Sequence, residues 1–170
     1  VLGLEPSCLL TLRDEFLSVL PGEASAALAR NAMLLEEYLA AEHEAGRLEL
    51  NLGAGGDVLL HGHCHQKAHQ TMAAMTNTLD LLPDSNIETV QSSCCGMAGA
   101  FGYGADTYEV SQAMGEASLL PAVRGVASTT TLIANGTSCR QQIKHGSGRE
   151  AVHMVQLLRQ SSLCSPLHRV

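Results

Sequence analysis

The chain has 170 residues, 45% of them hydrophobic, a globular composition that can bury a core and that excludes a disordered segment. Ten basic residues against 17 acidic ones leave a net charge of −7, without the basic footprint that nucleic acid or an anionic membrane surface requires. No apolar run approaches the roughly 20 residues of a membrane span, and aromatics at 3% with no tryptophan leave few rings on which a flavin or a base could stack.

Taken in chain order, "VLGLEP" reads as a short strand or the stump of one. "LLTLRDEFLSVL" reads as a helix ending at Pro21-Gly22. Its Leu9, Leu12, Phe16 and Leu20 form an apolar stripe. "EASAALARNAMLLEEYLAAEHEAG" places Leu28, Ala32, Leu35 and Leu39 on one face and predicts a single amphipathic helix. After the turn "GAGG", the apolar run "DVLLHG" predicts a buried strand. "KAHQTMAAMTNTLDLL" is helical up to Pro83, and "NIETVQ" is a strand. "DTYEVSQAMGEASLLPAV" predicts a helix bent or ended near Pro121. "TTTLIA" is a strand rich in β-branched residues, and "CRQQIKHG" and "REAVHMVQLLRQ" are helices. Strand and helix alternate from Asp57 onward. The expected fold class is therefore α/β, a small parallel sheet with helices on both faces, preceded by an N-terminal helical segment.

The expected organisation is a helical segment over residues 1–50, a cysteine-rich domain over 51–163 and a tail over 164–170. The first residue is Val, so the sequence reads as a processed chain or a piece of a longer one.

The six cysteines are Cys8, Cys64, Cys94, Cys95, Cys139 and Cys164. A helix-rich chain of this length favours a reducing, cytoplasmic setting over a disulfide framework. Cys64, the Cys94-Cys95 pair and Cys139 each follow a predicted strand, so three loops deliver four thiols to one edge of a parallel sheet. Crowded thiolates repel unless a cation lies between them, and thiolates are the soft ligands that iron–sulfur clusters, zinc and Cu(I) prefer. Adjacent cysteines fit a mutual disulfide badly but can ligate two atoms of one cluster. The glycines that follow, Gly96 first, let the backbone turn and bring N–H groups toward sulfur. In "HGHCH", His63 and His65 are candidates for hydrogen bonds to such a cluster, whereas His61 and His69 read as ordinary loop histidines. Cys8 is a weaker candidate ligand, and Cys164 reads as unrelated. "GAGG" and "GMAGAFGYG" lack both the dinucleotide fingerprint and the Walker lysine.

"HGHCHQKA", "SSCCGMAGAFGY" and "NGTSCRQQI" together resemble the cysteine-rich CCG domain, over about Asp57 to Gln160. That domain occurs in the B subunit of heterodisulfide reductase, in the C subunit of anaerobic glycerol-3-phosphate dehydrogenase, in glycolate oxidase iron–sulfur subunits, and at the C-terminal end of fused FAD-linked oxidases of D-lactate and related 2-hydroxy acids. The resemblance implies a metal site of Cys64, Cys94, Cys95 and Cys139, and electron transfer through an iron–sulfur cluster. It also implies FAD on a separate domain or polypeptide, so the isolated chain would not be catalytic. The family carries CCG domains in tandem, and "LEPSC" resembles the end of the first, with Cys8 as its last cysteine. The family's closing Cys-x-x-Cys pair is Gly136-x-x-Cys139 here, which leaves four cysteines rather than five. An ordinary 4Fe–4S cluster or zinc then stands in place of the noncubane type. The expected partners are the FAD-binding domain, the other CCG domain and an electron acceptor, with a homo-oligomer through the N-terminal helices as a further expectation, and any membrane association would come through a partner. The competing reading is a zinc-stabilised interaction module. A third, a thiol–disulfide enzyme, needs a reactive cysteine of low pKa.

Overall fold

A computed structural model describes residues 1–92 and 94–163 of the chain. Cys164 and the tail over 164–170 lie outside the described residues. The chain divides into two compact units, one built from residues 1–49 and 65–78, the other from residues 50–64 and from residue 79 onward.

In the first unit, β1 (Leu2–Gly3) pairs in parallel with β2 (Met33–Leu34). Between them run α1 (Pro6–Thr11), α2 (Glu15–Val19) and α3 (Glu23–Asn31), and α4 (Leu35–Glu44) follows β2 directly. Pro6 opens α1, where a missing N–H costs nothing. α5 (Cys64–Ala68) and α6 (Met72–Leu79) fall almost wholly in this unit. Their Gln66 and Thr78 tie them to α4: Gln66 Nε2 donates to the buried Glu36 Oε1 at 2.5 Å, and Thr78 Oγ1 donates to the Glu36 carbonyl at 3.1 Å. Leu9, Leu10, Ala32 and Leu34 form the apolar centre of the unit.

The long helix expected over residues 23–46 is two helices. Residues 32–34 leave the helix because Met33 and Leu34 pair with the N-terminal strand, and Met33 N–H donates to the Val1 carbonyl at 2.9 Å. Glu37 restarts the helix: its carboxylate accepts the Leu34 N–H at 2.8 Å and takes a two-pronged contact from Arg13. The first expected helix is likewise broken between Thr11 and Glu15, and the one after Cys64 is broken at residues 69–71, with Gln70 at φ 57°. The expected stripe of Leu9, Leu12, Phe16 and Leu20 does not act as one face. Leu9 is buried, whereas Leu20 is exposed beside Leu17 and Val19.

The second unit holds a three-stranded parallel sheet of order β4–β3–β5, made of β3 (Gly56–Leu60), β4 (Ser85–Thr89) and β5 (Thr131–Ile133). Val58, Leu59 and Leu60 of the central strand are all buried, as a strand paired on both sides and covered by helices requires. The helices of this unit are α7 (Tyr108–Glu116), α8 (Leu119–Gly125), α9 (Thr137–Ser147) and α10 (Met154–Leu163). The break between α7 and α8 falls at Ala117-Ser118, ahead of Pro121. Pro121 sits third in α8, inside the first turn, where it displaces no hydrogen bond. Residues 149–153 are extended rather than helical. Val152 bridges in parallel to Ile133, and the Arg149 guanidinium donates to the carbonyls of Val123, Val126 and Thr130.

The fold is a mixed α/β one with small parallel sheets, as the alternation of strand and helix implies. Among the described residues no helix is long and apolar enough to cross a membrane.

Candidate metal centre

Because β4, β3 and β5 are parallel, their C-terminal ends share one edge of the sheet, where ligands bind in open α/β folds. Each strand runs on into a donor-bearing segment. β3 leads to His61, His63 and Cys64, and its ladder extends one residue further through His61 N–H to the Ile133 carbonyl at 2.8 Å. β4 leads to Cys94 and Cys95, after Val90 N–H has bonded the Leu60 carbonyl at 2.9 Å. β5 leads through residues 134–136 into α9, whose first turn carries Cys139.

The segments converge. The sulfurs of Cys95 and Cys139 and a ring nitrogen of His61 lie within 4.8 Å of one another, and all three residues are buried. Cys64 and Cys94 are close enough for their charges to act on Cys139. The Cys139 thiol donates to Cys95, and this holds the Cys95 pKa down at about 4 against the opposing effect of burial, with smaller help from His61 and the Met97 N–H. Cys139 keeps its proton well above the ordinary cysteine value, first because Cys95 accepts it, then because of burial and the neighbouring cysteines. The pair thus carries one charge and one proton between two sulfurs. The five described cysteines are free thiols.

Two glycines make the approach possible. Gly96 has φ 90°, and a Cβ there would lie 2.3 Å from the Ser111 carbonyl oxygen. In this conformation its N–H donates to Cys94 Sγ at 3.3 Å. At Gly136 a Cβ would lie 2.3 Å from the His63 ring and 3.3 Å from Cys139 Sγ. The absence of a side chain there is what lets the buried His63 ring lie against the start of α9. His63 Nδ1 is 3.9 Å from Cys64 Sγ.

Most of the residues that the sequence singles out meet at this edge. Cys64, Cys94, Cys95, Cys139, Gly96 and His63 occupy the strand-end edge of the second unit. His65 lies in α5, with its Nε2 4.0 Å from Glu15 Oε1. Cys8 is exposed in α1 of the first unit. His69 is 4.0 Å from Asp14. His61, which the sequence presents as an ordinary loop residue, is instead 2% exposed and grouped with Cys95 and Cys139. The signal that would have found it is the two-residue alternation of the strand. His61 and His63 continue the phase of Leu59, and Leu59 belongs to the same apolar cluster as Cys95 and Cys139.

The donor set suits a soft metal. Several thiols packed in a buried pocket can ionise together only around a cation, and sulfur with imidazole nitrogen is the set chosen by zinc and by iron–sulfur centres.

The chain is similar to proteins described as dehydrogenases. It is 31% identical over 159 residues to D-2-hydroxyglutarate dehydrogenase of Escherichia coli (strain K12), a match covering 93% of this chain and 15% of that protein. To the protein of the same description from Pantoea ananatis (strain AJ13355) it is 29% identical over 160 residues, again 93% of this chain and 15% of that protein. To the C subunit of anaerobic glycerol-3-phosphate dehydrogenase from Escherichia coli (strain K12) it is 26% identical over 166 residues, or 95% of this chain and 40% of that polypeptide. The chain therefore spans a minor part of each relative. No family model matches it, and no solved structure does.

Proposed function

We propose that this chain is the iron–sulfur electron-transfer part of a larger flavin-linked dehydrogenase of 2-hydroxy acids, with the cluster held by Cys64, Cys94, Cys95 and Cys139. The observation that carries this reading is the arrival of four thiols from three parallel strand ends at one edge, two of them buried and within 4.8 Å of each other. The names of the relatives support the reaction class, since D-2-hydroxyglutarate is itself a 2-hydroxy acid.

When bound, a cluster supplies a one-electron carrier of tunable potential. The work of the chain is to hold it. Cys95 and Cys139 offer sulfur from a water-poor pocket, and Gly96 N–H donates to the Cys94 sulfur. With four cysteines in the set, an ordinary 4Fe–4S cluster is the type proposed, in a reducing cytoplasmic setting. FAD and the hydroxy-acid site belong to another domain, so the isolated chain does not oxidise substrate. Cys8 supplies a thiol to a preceding domain of the same kind. The exposed Leu17, Val19 and Leu20 are covered there, or by a second copy when that domain is absent.

Anaerobic purification tests this. Brown protein with iron and broad visible absorption is the expected result. Colourless protein carrying stoichiometric zinc would replace the reading with that of a zinc-stabilised interaction module. A thiol–disulfide enzyme is disfavoured by burial. Cys95 has the low pKa such chemistry needs, but at 4% exposure it offers no approach to a disulfide substrate.

A further inference from the structure

We infer that His61 is a nitrogen ligand of the metal centre, binding through Nε2 beside the buried Cys95 and Cys139 and taking the place of one of the two half-buried thiols, Cys64 or Cys94, in the set of four, so that the centre is a mixed cysteine–histidine one. This rests on the reading above that the strand-end edge holds iron and sulfide. Three observations converge on Nε2. His61 is 2% exposed, and its Nε2 is buried without a hydrogen bond of ordinary geometry among the described residues, while the ring acts on the Cys95 sulfur beside it. A buried polar atom left in this way is costly and calls for an explanation. The other ring nitrogen is occupied, since Nδ1 lies 3.0 Å from Ser92 Oγ. Metal-bound histidines are characteristically held this way, with the distal nitrogen on a fixed polar group that sets the plane of the ring. A ring nitrogen lies within 4.8 Å of both the Cys95 and Cys139 sulfurs, and with Nδ1 taken by Ser92 the nitrogen left to reach a metal between them is Nε2.

The backbone fixes this placement. His61 is the first residue beyond β3, and its N–H still belongs to the sheet through the Ile133 carbonyl. The residue is therefore anchored through its backbone and its ring through Nδ1, and swinging Nε2 toward solvent would break the contact with Ser92. A loop histidine without a function would be expected to turn outward or to pair both nitrogens. His63, by contrast, meets Cys64 through Nδ1 and the Gly136 backbone with its other edge.

A neutral imidazole in place of a thiolate lowers the negative charge on a cluster and raises its reduction potential. The unaltered chain should therefore reduce at a higher potential than His61→Cys, which restores an all-sulfur set. The test is pulsed electron paramagnetic resonance on the full chain, labelled with 15N-histidine, loaded anaerobically with iron and sulfide, and reduced. The expected result is a strong nitrogen coupling of a directly bonded imidazole, retained in His63→Gln, lost in His61→Gln and in His61→Cys, with the potential lowered in the latter. A loaded cluster with only weak nitrogen coupling, or a strong coupling that survives His61→Gln, overturns the assignment while leaving the iron–sulfur reading intact. A chain that takes up no iron and sulfide overturns both. Should His61→Gln fail to fold, the labelled unaltered chain and His61→Cys still decide the matter.

Discussion

Cys8 and Cys139 sit in the same local structure and meet opposite fates. Each is the third residue of a helix that follows a parallel strand: β1 then α1 in one unit, β5 then α9 in the other. Cys139 is 1% exposed among three other cysteines and two histidines, whereas Cys8 is exposed, and no other described cysteine lies in its unit. The difference lies in the sheet. β1 has one partner, β2, which ends in a helix carrying no thiol or imidazole in its first turn. β5 belongs to a three-stranded sheet whose other two strands also run into donor-bearing segments. A strand–helix junction presents one thiol, and a site arises only where neighbouring strands bring more to the same edge.

The largest effect expected from breaking this comparison is at the thiols themselves. Cys139→Ser and Cys95→Ser should each abolish metal binding in anaerobically prepared protein, while Cys8→Ser should leave the metal content unchanged. Metal analysis of the three variants checks this, and loss of metal in Cys8→Ser would dissolve the contrast.

Next come the residues just before the two helices, Glu5 ahead of α1 and Gly136 ahead of α9. Gly136→Ala puts a Cβ 2.3 Å from the His63 ring, so it should cost about 1–3 kcal/mol by overpacking and weaken metal retention. Glu5→Ala removes the acceptor of the Ser7 hydroxyl, and the loss of that bond should cost about 1 kcal/mol. Thermal melts of both variants with and without metal separate the two positions.

A further effect should appear with pH in the metal-free protein. The folded pKa of Cys95 is lowered from the ordinary value of 9.0 to about 4, so its contribution is complete above pH 9 and fades as pH falls toward 4. Cys139 is shifted the other way, so its contribution is complete below pH 9 and is lost as pH rises beyond that. The anaerobic metal-free chain should therefore melt highest near pH 9 and lower on either side. Cys95→Ser should flatten the acid limb.

The smallest effect concerns the first unit alone. Val19→Asp with Leu20→Asp, both at exposed positions, should remove self-association measured by light scattering and leave the metal content unaffected.

Much of the second unit is legible in the sequence because its signals are local. The buried run at Val58–Leu60, the β-branched segment at Thr131–Ile133 and the turn residues between them announce strands regardless of what surrounds them. The positions of four cysteines after those strands follow from counting. The parts that the sequence hides depend on partners distant along the chain. Residues 32–34 look helical until Leu2 and Gly3 are available to pair with them, and residues 149–153 look helical until Val152 meets Ile133. His61 escapes notice for a related reason. Five residues of "HGHCH" hold three imidazoles, and only the sheet that carries Leu59 into the core decides that the first of them turns inward. Where the apolar pattern sets the structure, reading succeeds, and where a long-range hydrogen bond overrules helix propensity it does not.

The central claim is that the three-strand edge, and not the Cys8 junction, holds an iron–sulfur centre. The most direct measurement is iron and acid-labile sulfide per chain in anaerobically purified protein, for the unaltered chain beside Cys8→Ser and Cys139→Ser. The account predicts equal amounts of iron and sulfide in the unaltered chain and in Cys8→Ser, and neither in Cys139→Ser. Iron and sulfide retained in Cys139→Ser, or zinc without sulfide in the unaltered chain, would contradict it.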